Sequence, residues 1–327
     1  MHTPILLITF NRPDHTRQTL QRILEAHPRD LYIFQDGARS GNANDALKCQ
    51  HVRDVINELI AEYKAKHSSS LLTLHSYFSE ANLGCGPGPM TGISWFFENV
   101  EQGIVMEDDC LAHPDFFPYC EELLNRYRGT EVKFINATLY DNSWSCEDSY
   151  GFSRYMITGG WASYREVWQG FDLDLLQFDA KKFRKTVLNL TQNKAEADWW
   201  YFKVLEIKQD RSKKSYWDYQ MQIHLFNQHA YTIHPQKNLI RNIGFDAEGT
   251  HTWGDDGRAD RPTYPILPLR HPEKIEVDVI KDHAAIWSRA NTHGWLKDTI
   301  NYMYKSMLYS NGLMHSILMV YKKIKGK

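Results

Sequence analysis

The chain has 327 residues, which is enough for one large α/β domain with additions or for two domains of ordinary size. Its 38 Lys and Arg residues nearly balance its 40 Asp and Glu residues, so the charge argues against a nucleic-acid partner and fits a small-molecule substrate. The five cysteines are odd in number and lack metal-ligand spacing, which favours a reducing compartment such as the cytoplasm. We expect neither export nor membrane spanning, because the N-terminal apolar run is short and no stretch reaches about 18 apolar residues.

Apolar runs and helical patterns alternate through the first third of the chain. The run at 5–10 is largely apolar and predicts a strand buried on both faces, and Asp14 can begin the helix that follows. Strands that alternate with helices indicate an α/β fold in which a mostly parallel sheet is flanked by helices. The further predicted elements are, in chain order, a strand at 31–34, a helix through 52–60, a strand at 71–75, a helix through 93–97 and a strand at 103–106.

The pattern is less regular beyond Asp115. The predicted elements there are a helix at 116–128, a strand at 133–137, a loop-rich region at 141–155, helical structure over 179–209 and a loop at 208–215. A Pro-rich segment at 261–272 predicts the end of the main domain. We therefore divide the chain into a domain at 1–272 and a C-terminal helical extension at 273–327.

Polar residues follow three of the predicted strands directly. Asn11 and Arg12 come after the first strand, Asp36 comes after the second, and the triplet Glu107-Asp108-Asp109 comes after the fourth. In open parallel sheets, ligands bind at the carboxyl ends of the strands. The sequence therefore predicts a single site at this edge of the sheet.

The triplet Glu107-Asp108-Asp109 places three carboxylates within one turn, where their mutual repulsion is costly unless a cation compensates it. Mg²⁺ and Mn²⁺ prefer oxygen ligands and commonly share their coordination with substrate phosphates. We predict an Mn²⁺ or Mg²⁺ site with Asp109 as the first-choice ligand. The alternative interpretation is an acidic turn that caps the helix beginning near Pro114.

A set of short motifs follows the acidic triplet in a fixed order. The segments are Glu107-Asp108-Asp109 followed by Pro114-Asp115-Phe116-Phe117, then Gly159-Gly160-Trp161 with Trp168, then Trp217-Asp218-Tyr219, and later His234-Pro235 and Thr250-His251. Each motif is weak alone, but together they resemble, in order and approximate spacing across most of residues 4–255, the eukaryotic N-acetylglucosaminyltransferase I family of GT-A glycosyltransferases.

The resemblance implies a GT-A fold and an inverting transfer from a nucleotide diphosphate sugar, with a UDP-sugar as the expected donor. It implies that Asp109 binds the metal, that Asp108 lies near the donor ribose and that Asp218 is the catalytic base. It also implies that Arg12 and Asp36 contact the nucleotide. An Asp can accept from the uracil N–H, and an Arg can bind phosphate.

Further site residues are predicted around these. Asn82-Leu83-Gly84 resembles the Asn-x-Gly loop of many bacterial inverting glycosyltransferases, so Asn82 and Gly84 are assigned to donor binding. The remaining candidates are Phe10, Asn11 and Glu107 for the nucleotide sugar, Gly160, Trp161 and Trp217 for the acceptor or sugar pocket, and His251 as a second metal ligand. The family's Golgi anchor has no counterpart, which indicates a bacterial-type cytoplasmic relative that acts on a saccharide or lipid-linked saccharide in surface polysaccharide synthesis.

Three alternatives remain open at this point. A sugar nucleotidyltransferase can share the fold, although such enzymes carry a Gly-x-Gly-Thr-Arg loop where this chain reads Thr9-Phe10-Asn11-Arg12-Pro13. A carbohydrate-binding protein without turnover is the second. A retaining transferase is the third, if Asp218 proves remote from the acceptor. For Asp218 itself, the alternative interpretation is an N-cap of the helix that follows it.

The C-terminal residues 295–327 show apolar positions near helical spacing and end in a Lys-rich stretch. Basic residues beside an apolar helical face favour adsorption to anionic membranes, which would bring the protein near lipid-linked acceptors. The alternative is a helix that packs on the domain or on a second subunit in a homodimer.

Overall fold

The computed structural model describes residues 1–67, 71–139, 144–176, 178–209, 216–245 and 261–283. The strands are β1 (Ile5–Thr9), β2 (Asp30–Gln35), β3 (Thr73–Phe78), β4 (Gln102–Glu107), β5 (Cys110–Ala112), β6 (Val132–Asn136), β7 (Tyr150–Ser153), β8 (Trp161–Tyr164), β9 (Tyr231–Pro235) and β10 (Ile240–Asn242). The helices are α1 (Pro13–Glu25), α2 (Ala43–Lys66), α3 (Pro87–Asn99), α4 (Phe116–Tyr127), α5 (Arg165–Trp168), α6 (Ala180–Thr191), α7 (Lys194–Gln209), α8 (Asp218–Asn227) and α9 (Val279–Asp282).

Eight strands form one sheet in the order β3-β2-β1-β4-β8-β6-β9-β7, and β10 pairs with β5 in a separate ribbon. All five residues of β1 are buried, as expected for a strand covered by helices on both faces. The strands β3, β2, β1 and β4 are mutually parallel. The predicted α/β class is therefore confirmed, and the predicted βα alternation accounts for this half of the sheet.

The second half of the sheet is mixed, but six of the eight strands share one direction, so the sheet is mostly parallel as predicted. Strand β8 runs antiparallel to both β4 and β6, and β7 runs antiparallel to β9. Strands β6 and β9 are parallel to each other and hence to β4. The carboxyl ends of β6 and β9 therefore lie at the same edge as those of the parallel half.

Three predicted elements differ from the observed ones. The third strand begins at Thr73 instead of 71, because its pairing with β2 starts opposite Asp30, and Leu71 is 78% exposed. The loop-rich region at 141–155 contains β7, which pairs with β9 at the sheet edge. The helical stretch 179–209 is two helices, since Gln192 adopts a left-handed conformation that ends the first.

Stacked aromatic rings fill the core where β8 crosses between β4 and β6. The ring of Trp161 lies 4.8 Å from that of Phe134 and 5.5 Å from that of Trp168, which stacks on Phe97. Aromatic burial of this kind contributes a large share of core stability. A second cluster, built mainly from α6, α7 and α8, includes Phe183, Trp200 and Phe226.

The segment after residue 260 packs on the domain. Asp115 Oδ2 accepts from the backbone N–H of Ile266, and Asp282 accepts from Ser153 Oγ and from the N–H of Arg154. The proposed division at residue 272 stays a prediction. The tail beyond residue 283 lies outside the described residues, and none of the described helices is long and apolar enough to cross a membrane.

Candidate active site at the carboxyl edge of the sheet

Strand register brings the predicted polar residues to one edge. Ile8 of β1 pairs with Glu107 of β4, and Thr9 pairs with Gln35 of β2. The turns that follow these strands, which carry Arg12, Asp36 and Asp109, consequently leave the sheet on the same side. The shared edge is confirmed, whereas the binding roles of these residues stay predictions.

The acidic turn, Glu107-Asp108-Asp109, is tied to the end of β1 and to α1. The N–H of Phe10 donates to Asp108 Oδ2 over 3.4 Å, and Thr19 Oγ1 donates to the carbonyl of Asp108 over 2.8 Å. Arg12 Nη1 lies 3.4 Å from Asp109 Oδ2. The three elements therefore hold one guanidinium against the acidic turn.

Burial, together with the negative charges of the turn, raises the pKa of both Glu107 and Asp108 well above their ordinary values. Desolvation is the largest cause for each, and the charge of Asp109 comes next. Arg12 opposes both shifts. A cation bound at this turn would favour the charged carboxylates.

Asp218 is near enough to the acidic turn for its charge to contribute to the raised pKa of Glu107. It is the first residue of α8, and its Oδ1 accepts the N–H of Tyr219 over 2.9 Å. Trp217, not Asp218, occupies the N-cap position. The interpretation of Asp218 as an N-cap is therefore wrong, and its carboxylate shares electrostatic surroundings with the acidic turn.

Residues after β10 cover Asp109, which the sequence analysis did not foresee. The N–H of Ile243 donates to the carbonyl of Asp109 over 2.9 Å, and a Cβ on Gly244 would lie 2.2 Å from Asp109 Oδ2. His15 Nε2 lies 3.1 Å from the carbonyl of Ile243. In the sequence, Gly244 is a local signal that the backbone approaches another group closely. A glycine does not indicate that this group is Asp109.

The carboxylate of Asp36 holds the predicted Asn-x-Gly loop. It accepts from the N–H groups of Gly37, Leu83 and Gly84 over 2.9, 2.8 and 3.1 Å. Asn82 Nδ2 supplies a fourth donor over 3.0 Å. A carboxylate has about four lone-pair sites. A direct contact of this carboxylate with a nucleotide base would therefore have to displace one of these bonds.

The turn after β1 makes two contacts that the sequence analysis missed. Asn11 Nδ2 donates to Asp45 Oδ1 over 2.8 Å, and Asp45 is also paired with Arg39. The Arg39 guanidinium lies 5.6 Å from the centre of the Phe10 ring. Asn42 accepts from the N–H of Asp45, so local sequence could have shown where α2 begins, but not that its first turn binds Asn11.

The predicted acceptor residues lie deeper than expected. Trp161 is 1% exposed and belongs to the stacked core, so direct acceptor contact with its ring would require that core to open. Trp217 is 6% exposed, with its ring 5.9 Å from that of Trp161. Gly160 has a φ of +66°, and a Cβ there would lie 2.7 Å from the Ile240 side chain. The structure thus gives Trp161 and Gly160 packing roles beside Trp217.

Metal binding depends on what the acidic turn can supply. Within the parts of the chain that the structure describes, no three His, Cys, Asp or Glu side chains are grouped to hold an ion. The oxygen donors at the turn suit a hard cation, and Mg²⁺ typically takes only one or two carboxylates beside substrate phosphates. The turn fits that partial coordination. The second predicted ligand, His251, lies outside the described residues.

No protein-family model matches the chain, and no curated protein matches it in sequence. A mannosyltransferase from Pyrobaculum calidifontis, in complex with GDP-Man and Mn²⁺, is 13% identical over 56% of this chain, which spans 50% of that one, at a TM-score of 0.36. S. aureus TarS 1–349 is 12% identical to this chain, and the match covers 70% of this chain and 72% of that one at a TM-score of 0.36. A UTP-bound UGPase from Acinetobacter baumannii is 8% identical to this chain, and the match covers 71% of this chain and 85% of that one at a TM-score of 0.37. Because the sequence identities and TM-scores are this low, the function has to be inferred from the residues of the candidate site.

Proposed function

We propose that this protein is a metal-dependent, inverting glycosyltransferase of the GT-A type. It transfers a sugar from a nucleotide diphosphate donor, of which a UDP-sugar is the first choice, to a saccharide or lipid-linked saccharide in surface polysaccharide synthesis. The observation that carries the proposal is the strand register that brings Arg12, Asp36 and the acidic turn to one edge of the sheet, with Asp218 near enough for its charge to act on Glu107. A base and a metal-binding carboxylate are needed together for this reaction.

The diphosphate end of the donor lies at the acidic turn in this proposal. Asp109 and His251 would hold Mn²⁺ or Mg²⁺, which acts as a Lewis acid on the phosphoryl oxygens. Arg12, already within 3.4 Å of Asp109, supplies a guanidinium that can bind the same phosphates. Asp108, held by hydrogen bonds from Phe10 and Thr19, would lie near the donor ribose.

The nucleoside lies along the end of β1 and the loop that Asp36 organises. Phe10 offers a ring face and Asn11 is fixed by Asp45, so both are positioned before ligand binds. Asp36 acts by holding Asn82 and Gly84 in place. Prior positioning of this kind lowers the entropy that binding costs.

Asp218 accepts the proton of the acceptor hydroxyl while its oxygen attacks the anomeric carbon and the bond to the diphosphate breaks. Attack from the face opposite the leaving group inverts the configuration. Trp217 precedes the base and is packed against Trp161, so the start of α8 is held by the aromatic core. A fixed base of this kind typically contributes about 10²–10⁴ to the rate.

The first experiment screens UDP- and GDP-sugars by thermal shift, with and without Mn²⁺. A ligand that binds only the folded state stabilises it by RT ln(1 + [L]/Kd), so the donor should raise the melting temperature in a metal-dependent manner. Donor turnover is then followed as released nucleoside diphosphate. A screen in which no nucleotide sugar shifts the transition contradicts the proposal.

Product analysis separates the alternatives. A nucleotidyltransferase forms pyrophosphate from a nucleoside triphosphate and a sugar 1-phosphate, and a retaining transferase keeps the anomeric configuration. In this chain α1 begins at Pro13, so only three residues separate β1 from the helix, which leaves little backbone for a phosphate-binding loop of the nucleotidyltransferase kind. Donor binding without any turnover would identify a carbohydrate-binding protein.

A further inference from the structure

A cavity lies at the amino edge of the sheet, at the opposite end of the strands from the acidic turn. We call it the amino-edge cavity; its lining residues come from the segments that begin β1, β2 and β4 and from the ends of α3 and α4. Strand β4, from Gln102 to Glu107, separates it from the acidic turn by about 16 Å. Its volume is about 490 Å³. Ligand pockets have roughly 300–1,000 Å³, so a small organic molecule would fit.

The charge of the amino-edge cavity is negative. Its lining residues include three carboxylates, those of Asp30, Glu101 and Glu121, and one guanidinium, that of Arg128. Glu101 is paired with Arg165 over 2.6 Å, which leaves Asp30 and Glu121 to set the charge against Arg128. Helix α4 also ends at this cavity, and the C-terminal end of a helix carries a partial negative charge. The cavity therefore favours a cationic ligand over an anionic one.

Glu121 is held in place by the start of β1. Its Oε1 accepts from the N–H groups of His2 and Thr3 over 2.8 and 2.9 Å, and from Thr3 Oγ1 over 3.2 Å. Its second oxygen, Oε2, has no hydrogen-bond partner among the described residues. The carboxylate is therefore positioned before any ligand binds, and one of its oxygens can still accept.

Several donors that line the amino-edge cavity already donate to other protein groups. Arg128 Nη2 donates to Gln102 Oε1 over 2.8 Å, and Gln102 Nε2 donates to Asn125 Oδ1 over 3.1 Å. Asn99 Nδ2 donates to the carbonyl of Trp95 over 2.8 Å. The carboxylate of Asp30 has only His75 nearby, and the 3.7 Å between His75 Nε2 and Asp30 Oδ1 is too long for a hydrogen bond. The cavity thus offers acceptors, which suit a ligand that donates.

Tyr32 adds a buried hydroxyl to the lining of the amino-edge cavity. The residue is 6% exposed, and its ring stacks on His75 at 4.2 Å and meets Trp95 edge-on at 5.3 Å. Burial and then the charge of Asp30 raise the pKa of Tyr32, so Asp30 acts on this hydroxyl. The hydroxyl has no hydrogen-bond partner within the parts of the chain that the structure describes. A buried polar group without a partner is costly, and a ligand in the cavity would satisfy it.

We propose that the amino-edge cavity binds a small organic cation with two or more primary ammonium groups, a diamine or polyamine. One ammonium donates to Asp30 and Tyr32, and another donates to Glu121 Oε2. An ammonium has three donors and no acceptor, which matches the acceptors that the cavity leaves open. The site lies at the other edge of the sheet from the proposed catalytic residues, so this inference stands apart from the proposed function.

A metal ion is a poorer match for the same cavity. Magnesium and calcium ions need several oxygen ligands close together. No three His, Cys, Asp or Glu side chains are grouped in this way in the described ranges of the chain. The separate positions of Asp30, on β2, and Glu121, on α4, suit a ligand that carries its charges apart.

The test titrates putrescine and butanediol onto the full-length protein by calorimetry. The two molecules have the same carbon chain, but only putrescine carries ammonium groups, so putrescine should bind and butanediol should not. Asp30→Asn should weaken putrescine binding by about tenfold or more, the usual scale for a hydrogen bond to a charged group. Tyr32→Phe keeps the packed ring and removes the hydroxyl, so we expect a loss of about fivefold.

Asp54→Asn is the matched control, because Asp54 is exposed on α2, lies outside the cavity and changes charge equally. Asp109→Asn shows whether putrescine binds at the acidic turn instead. Thermal unfolding without ligand verifies that each variant is folded, and Tyr32→Phe keeps the test valid if Asp30→Asn does not fold. The proposal is overturned if putrescine does not bind, if butanediol binds equally, or if Asp54→Asn weakens binding as much as Asp30→Asn. Binding that Asp109→Asn abolishes and Asp30→Asn leaves unchanged overturns it as well.

Discussion

Individual carboxylates at the sheet edge differ in how many hydrogen bonds and ion pairs they receive from the protein. Asp36 accepts four hydrogen bonds and is 7% exposed, so it organises its surroundings. Asp109 has one guanidinium at 3.4 Å and keeps 20% of its side chain exposed. Of these two carboxylates, Asp109 receives fewer hydrogen bonds from the protein, which fits its proposed role as a ligand.

The proposed general base is tested by Asp218→Asn. The amide keeps the shape and loses the basicity, so turnover should fall by roughly 10²-fold or more while donor affinity stays nearly constant. Steady-state kinetics and donor calorimetry measure the two quantities. Asp54→Asn, an exposed change on α2, is the control. Turnover within a few-fold of the unmodified protein would place the base elsewhere.

The proposed metal ligand is tested by Asp109→Ala. Removing the carboxylate should abolish the Mn²⁺-dependent part of donor binding, because the protein supplies few ligands and each one matters. Calorimetry of the donor with Mn²⁺ and with EDTA measures this part directly. Unchanged affinity in the variant would remove Asp109 from the metal site.

Two buried carboxyls away from the site predict a pH dependence of stability. Burial raises the pKa of Glu196 from 4.5 to about 8, and that of Asp282 from 3.8 to about 7. Glu196 contacts the Tyr155 hydroxyl and His283, while Asp282 contacts Ser153 and Arg154. The folded state keeps these protons where the unfolded state has lost them, so their contribution is complete below about pH 4 and declines as pH rises to about 8.

Glu196→Gln should remove the part of the pH-dependent loss of stability that Glu196 causes. Each proton retained on folding gives a slope of about 1.4 kcal/mol per pH unit, so the stability of the unmodified protein should fall relative to the variant between pH 5 and 8. Urea unfolding at several pH values measures the difference. A difference that stays constant with pH would mean that Glu196 is ionised in the folded protein.

At the scale of elements, strand β8 links the core to the site. It enters the sheet at Gly160, whose left-handed conformation and contact with Ile240 leave no room for a side chain. The same strand carries Trp161, which packs near Trp217 at the start of α8. The position of the proposed base thus depends on how β8 begins.

Gly160→Ala tests this dependence. The added methyl would meet the Ile240 side chain at 2.7 Å in a backbone conformation that L residues rarely adopt, so we expect a loss of about 1–3 kcal/mol of stability. Gly41→Ala is the control, because Gly41 also has a positive φ but has no atom within 4 Å of the added methyl. Urea unfolding compares the two. Equal losses would mean that backbone strain alone is measured and that the Ile240 contact adds nothing.

At the scale of the whole molecule, the two halves of the sheet end at one carboxyl edge. The acidic turn follows β4 of the parallel half, and β6 and β9 of the mixed half end at the same edge. Asn238 and Arg261 join the segment at 261–264 to this edge through the carbonyls of Pro262 and Leu139. The edge that carries the candidate site is therefore built from residues far apart in the chain.

The tail at 295–327 remains a prediction, since it lies outside the described residues. Its apolar spacing and terminal lysines predict that the full chain sediments with anionic vesicles at low salt and is released as salt rises. A chain that ends at Asn291 should stay in solution. Equal sedimentation of both chains, or none by the full chain, would favour packing of the tail on the domain or on a second subunit.

The sequence by itself determined the parallel half of the sheet and the edge at which Arg12, Asp36 and the acidic turn lie. Those features follow from local rules: apolar runs form strands, alternation with helices makes the strands parallel, and parallel strands end on the same side. The acidic turn and Asp218 could therefore be named as candidates before any coordinates.

Only the tertiary structure decided how those candidates are used. The saturation of Asp36, the burial of Trp161, the cover of Asp109 by Gly244 and the joining of Leu139 to Arg261 all arise between residues far apart in the chain. Local periodicity carries no information about such partners, because it reports which face of an element is apolar and not what packs against it. The antiparallel entry of β8 belongs to the same class, since its direction is set by the neighbours it pairs with.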